Sequence, residues 1–216
     1  MMKHGMRIAG VALLAALACN VSLAHDWSGL YAGAHAGFFS AKPDYREADS
    51  PEVNVDPKMD GASVGVLLGY NRQAGSLVYG VEFDFGLPNA DAGPDINPGA
   101  NEFSAFDVDW NAHVRARIGK SMGKSLLYAT GGLAALRFNI DDTDEGWGDV
   151  NSSHVGWSIG CGFERAFTER WSLRLEYVYD DYGSEDGEQS FEGTPIIDFT
   201  TSPTAHAGRV ALSYNF

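Results

Sequence analysis

Three features of this chain predict its fold class. Eight segments alternate in polarity, two of them weakly, all of the net charge sits in stretches between them, and no apolar run is long enough to cross a bilayer as a helix. Together they predict an all-β chain, an eight-stranded antiparallel transmembrane up-and-down β-barrel.

The first element is a leader. Lys3 and Arg7 form a basic start, residues 8–18 are uninterruptedly apolar or glycine, and Ser22-Leu23-Ala24 places small residues where a signal peptidase reads them. The apolar run falls short of the ~20 residues that a spanning helix needs. Cleavage after Ala24 is expected, giving a signal peptide over residues 1–24 and a barrel over 25–216. Cys19 offers a lipid-modified N-terminus as an alternative, but Leu17 stands one position away from where that motif wants it. Beyond residue 24 the chain holds only Cys161, so a disulfide framework is excluded.

The strands follow in order. Residues 30–39 form the first, with faces blurred by alanine and glycine. In the second, Ala62, Val64, Val66, Leu68 and Tyr70 oppose Ser63, Gly65, Leu67, Gly69 and Asn71. In the third, Leu77, Tyr79, Val81, Phe83 and Phe85 oppose a face carrying Glu82 and Asp84. The fourth is the clearest: every even position from Phe106 to Ile118 is apolar, while the odd ones are Asp107, Asp109, Asn111, His113, Arg115 and Arg117. Residues 126–140 form a blurred fifth. Val155, Trp157, Ile159, Cys161 and Phe163 mark the sixth, and Trp171, Leu173, Leu175, Tyr177 and Tyr179 the seventh. Residues 204–216 complete the set. Aromatic residues gather near the strand ends, as they do in membrane girdles. A soluble β-sandwich would explain the alternation but not this band, nor a polar face rich in glycine.

Connections alternate between short and long. Residues 71–76, 120–124 and 168–170 are short turns, with Gly75 and Gly123 as breakers. The stretches 40–60, 87–104, 141–153 and 182–203 hold nineteen Asp and Glu against Lys42, Arg46 and Lys58. The remainder of 25–216 is neutral, with ten acidic and ten basic residues. A neutral scaffold with four acidic loops is implied. No basic patch exists for a phosphate backbone, so nucleic acid is not an expected partner.

Closure is a physical requirement, because hydrocarbon offers no water to an unpaired strand edge. An eight-stranded ring leaves room for side chains only. The expected inward charges are Glu82, Asp84, Asp107, Asp109, Glu164 and Glu176, balanced by Arg115, Arg117, Arg174 and Arg209. They predict an internal salt-bridge network that fills the lumen, with a narrow porin-like channel as the alternative.

His154, Ser158 and Glu164 are the residue types of a lipid A-modifying hydrolase. His154 and Ser158 lie about 13 Å apart along a strand, too far to touch. Residues 141–149 resemble a calcium loop in composition but lack its spacing and closing glutamate. No enzyme activity is expected, and no catalytic, cofactor-binding or metal-binding residue is assigned.

Two ends of the chain carry a family resemblance. Arg209-Val210-Ala211-Leu212-Ser213-Tyr214-Asn215-Phe216 looks like the C-terminal sorting signal of outer-membrane barrels. Asp26-Trp27-Ser28-Gly29-Leu30-Tyr31-Ala32-Gly33 is similar to the opening strand of the small outer-membrane porin family of alphaproteobacteria, OmpA-like barrels that include immunogenic and haemin-binding surface proteins. Residues 114–119, 128–134, 157–162 and 171–179 extend the match, which fits the strands and not the loops. The resemblance implies a Gram-negative outer-membrane surface protein with a structural and interaction role. It also implies outer-membrane lipid and lipopolysaccharide as surroundings, the barrel assembly machinery acting through the last strand, and a haemin or host-surface ligand at the loops.

Overall fold

The computed structural model describes residues 25–47, 54–55, 59–92, 104–142, 150–191 and 194–216. The leader and residues 143–149 of the calcium-like stretch lie outside them. Ten strands are described: β1 (Gly29–Glu47), β2 (Asn54–Val55), β3 (Met59–Ala74), β4 (Leu77–Ala92), β5 (Ser104–Met122), β6 (Ser125–Asp142), β7 (Val150–Ala166), β8 (Trp171–Asp181), β9 (Glu185–Phe191) and β10 (Thr194–Asn215). Eight of them, β1-β3-β4-β5-β6-β7-β8-β10, form an antiparallel ring that β10 closes against β1 from Tyr31↔Asn215 to Glu47↔Phe199. The expected barrel is therefore present, and the ring leaves no open edge between its staves. β2 and β9 add short pairings to the far ends of β1 and β10.

At one end the staves are joined tightly. Gly75 and Gly123 sit at φ +63° and +67°, the left-handed region that two-residue hairpins favour. Thr168 Oγ1 accepts the backbone N–H of Trp171 at 2.9 Å and closes the turn between β7 and β8. The opposite, loop end differs from expectation in one respect. Residues 40–47 and 199–203 belong to acidic stretches yet continue β1 and β10 as a paired ribbon, while residues 194–198 pair with β9. Backbone pairing between neighbouring strands persists there after side-chain alternation has ceased to mark it.

Facing decides the environment. Large apolar side chains point outward, with Val155 65%, Leu133 62% and Ile118 57% exposed, while Glu82, Asp84, Arg115 and Arg174 are 1% exposed or less. That is the inverse of a water-soluble fold, and hydrocarbon is the solvent that favours it. Aromatic residues form two belts. Tyr70, Tyr79, Trp171, Tyr214 and Phe216 lie at the turn end, and Phe38, Phe85, Trp110, Trp157 and Tyr179 lie towards the loops. The shortest stave, β8, has 11 residues. At ~3.3 Å per residue and a tilt near ~40° it rises about 28 Å, enough for the apolar band.

One expected facing is overturned. Register slips between Val108 and Trp110, leaving Asp109 as an extra residue on β5. Val108 is therefore buried inside, not lipid-facing, and Asp109 is exposed, with Arg137 Nε 3.5 Å from its carboxylate. The bulge keeps a carboxylate out of the lumen and seats an apolar side chain there. The side chain of Asp107 lies outside the described ones.

Candidate functional site: a filled lumen

The inward side chains fall into three layers. At the turn end, Trp27, Val78, Leu126, Tyr128 and Ala166 form an apolar cluster. The segment before β1 builds it: the His25 N–H bonds to Gly123 O at 3.3 Å and the Trp27 N–H to Gln73 Oε1 at 2.9 Å, drawing Trp27 across the mouth. Burial there pushes the His25 imidazole pKa down. At the loop end, Phe39, Ala41, Val108, Ala134, Leu136, Tyr182 and Ala205 form a second apolar cluster.

Between these clusters lie the ions. Glu82 on β4 accepts from Arg115 on β5 at 3.1 Å, from Arg174 on β8 at 2.5 Å and from the Tyr31 hydroxyl at 2.8 Å. Asp84 accepts from Arg115 at 2.8 Å and from Arg209 on β10 at 2.9 Å. Glu176 binds Arg209 at 2.6 Å, and Glu164 is held by Arg117, by Arg174 at 3.3 Å and by the Ser172 hydroxyl at 2.5 Å. Arg174–Glu82 joins strands on opposite walls and Arg209–Asp84 strands three places apart around the ring, so these bonds cross the lumen. The Arg117 guanidinium also lies 3.7 Å from the Tyr128 ring centroid, close enough for an attraction of ~1 kcal/mol or more in a dry site.

Four of the six expected carboxylates and all four arginines thus meet. Sequence reasoning missed three further members. His113 stands between carboxylates, with Nδ1 2.8 Å from Asp84 and Nε2 3.2 Å from Asp180. Tyr31 and Tyr128 were obscured by the alanine and glycine around them. Their signal was the glycine opposite: a Cβ on Gly69 would lie 2.3 Å from the Tyr31 hydroxyl, and one on Gly162 2.3 Å from that of Tyr128. Glycine at these positions makes room for a ring to lie across the wall.

The three residues of hydrolase type sit apart from solvent. His154 is 0% and Ser158 1% exposed, both inside the lumen, and Glu164 is committed to Arg117, Arg174 and Ser172. Among the described residues no group of three or more His, Cys, Asp or Glu is placed to hold a metal ion.

A family model described as the outer membrane protein beta-barrel domain matches residues 9–216. The chain is similar to a 22 kDa outer membrane protein of Rhizobium leguminosarum bv. viciae, 34% identical over 77% of this chain and 69% of that protein. It is also similar to a 31 kDa outer-membrane immunogenic protein of Brucella melitensis biotype 1, 31% identical over 88% of this chain and 84% of the other. Among solved structures, the outer membrane protein OprG from Pseudomonas aeruginosa superposes with a TM-score of 0.63 at 13% identity, covering 89% of this chain and 99% of OprG. That likeness bears on the fold alone.

Proposed function

Since the chain belongs to the outer membrane protein β-barrel domain family and resides in the outer membrane, we propose that it is a non-conducting surface protein with a structural and interaction role and no catalysis. The observation that carries this reading is the layered lumen, in which cross-wall ion pairs are capped by an apolar cluster at each end. A hydrated ion would have to displace both clusters and compete with guanidinium–carboxylate bonds that are already made. Planar-bilayer recording tests this directly. The unmodified barrel is expected to be silent, and steady conductance from it would overturn the plug in favour of the narrow channel.

Interaction then falls to the acidic loops at the outer face, where loops on a rigid scaffold carry function. A relative named as an immunogenic protein is in keeping with loops displayed at the cell surface. Haemin or a host surface is the class of loop ligand proposed, to be sought by pull-down with the intact barrel. Burial of His154 and Ser158 supports the absence of hydrolysis, and unchanged lipid A in cells with and without the protein is the matching expectation.

A further inference from the structure

Four adjacent strands present two outward rows at the loop-end aromatic belt. The upper row runs Asp60, Ser40, His206, Tyr179 across β3, β1, β10 and β8; the lower runs Ala62, Phe38, Gly208, Tyr177. Phe38 is 80% and Tyr177 49% exposed, and between them Gly208 opens onto free space, with nothing within 4 Å of where a Cβ would stand. The resulting groove holds about 500 Å³ and is lined by Phe38, Ala62, Gly208, Tyr177, His206 and Asp60, among others. Its lower half is apolar and its rim polar.

The rim has a defined chemistry. The Tyr177 hydroxyl lies 2.6 Å from His206 Nδ1. A hydroxyl proton donated to Nδ1 leaves the ring's own N–H on Nε2. Lys42 is exposed on the same face of β1, two residues beyond Ser40. Arg137, another basic group towards this end, is engaged with Asp109. Lys42, one outward row beyond Ser40 and His206, thus offers a cation, and His206 an N–H donor, above an acyl-sized slot. A phosphate meets the first pair, sugar hydroxyls meet Ser40 and Asp60, and a hydrocarbon chain meets the slot.

We propose that this groove binds one molecule of the phosphorylated glycolipid of the outer leaflet, with an acyl chain seated on Gly208 between Phe38 and Tyr177. An exposed ammonium, Lys42, beyond an apolar slot and continuity with the lipid-facing wall favour this occupant over a second protein. The inference rests on the outer-membrane placement alone and is independent of whether the lumen conducts.

Native mass spectrometry of the detergent-purified barrel, with lipid A, dephosphorylated lipid A or phosphatidylethanolamine added, tests it. One lipid A is expected to be retained, and retention should fall about ten-fold without the phosphates. Gly208→Leu, which fills the slot from open space, and the double variant Lys42→Ala with His206→Ala should each lower it about ten-fold as well. Ala129→Leu, exposed on β6 across the ring, should leave it unchanged. Each variant must keep heat-modifiable migration, which separates a lost groove from a lost barrel. Equal retention by Gly208→Leu and the unmodified protein, equal retention of either other lipid, or an equal loss in Ala129→Leu would overturn the proposal.

Discussion

Arg115 has no route to solvent and four polar neighbours: Glu82 at 3.1 Å, Asp84 at 2.8 Å, Thr130 at 3.3 Å and Glu176 at 3.4 Å. Removing it takes one positive charge from three carboxylates that Arg174 and Arg209 still contact, leaving a buried negative charge uncompensated at a cost of about 3–5 kcal/mol in a dry site. Water entering the lumen would reduce that figure. In a domain of this size each kcal/mol moves the melting midpoint by roughly 2–4 °C. Arg115→Ala is thus expected to lower the temperature at which the heat-modifiable band is lost by roughly 10 °C, and to raise ion leakage. Arg137→Ala is the matched comparison, since its pair with Asp109 is 3.5 Å long and both groups are more than a third exposed. Such pairs contribute about 0–1 kcal/mol, so its midpoint should scarcely move. Similar shifts from both would mean that the inward charges are solvated. His113 fits the same accounting. Among the described inward side chains, Glu82, Asp84, Glu164, Glu176 and Asp180 face Arg115, Arg117, Arg174 and Arg209. The ring stands between Asp84 and Asp180, with Nδ1 2.8 Å from the first and Nε2 3.2 Å from the second, and a positive charge on it would bring that set to neutrality. His113→Leu, which removes both nitrogens at similar volume, should destabilise the barrel more than His113→Gln, which keeps a donor; the order of their melting midpoints is the check.

Strand β5 makes a sharper prediction, because the facing of a strand depends on counting residues. A deletion inside a regular stave turns every side chain beyond it to the wrong face. Deleting Asp109 does not, since that residue is the extra one at the bulge and Val108 already points inward on one side of it while Trp110 points outward on the other. The Asp109 deletion is therefore expected to fold in detergent with normal heat-modifiable migration, whereas deletion of Ala112, in the regular part of β5, should abolish folding. Recovery of both, or loss of both, would contradict the bulge. The same strand shows where the sequence was legible and where it was not. Phe106-Asp107-Val108-Asp109-Trp110 alternates without a flaw, so nothing local marks the irregularity. Only the demand for an apolar group beside Phe39, Leu136 and Tyr182 reveals it. In β3, β4, β7 and β8 the two faces differ so much in polarity that strand, facing and lumen charges could all be read directly. In β1 and β6 alanine and glycine removed that contrast, and Tyr31 and Tyr128 emerge only when their glycine partners on other strands are known. Long-range fit, not local pattern, held the missing part.

For the whole molecule, stability and assembly make different demands on the last residue. Phe216 is 74% exposed; its backbone N–H bonds to Leu30 O at 3.0 Å and its ring packs edge-on to Tyr214 at 5.2 Å. One hydrogen bond contributes about 0.5–1.5 kcal/mol and one aromatic pair a similar amount. Little else depends on Phe216, because ring closure runs over seventeen paired positions from Tyr31 to Glu47, and the lumen layers lie further inside. A chain lacking Phe216 should therefore refold in detergent with a melting midpoint within a few degrees of the full-length protein. For cells a separate part is proposed for the aromatic end, as the recognition element for the barrel assembly machinery. Deletion of Phe216 is accordingly expected to cut the amount of heat-modifiable protein in the outer membrane several-fold while leaving refolding intact. Normal yield in cells would remove the sorting role. Failure to refold in detergent would instead make Phe216 part of the seam that holds β10 to β1.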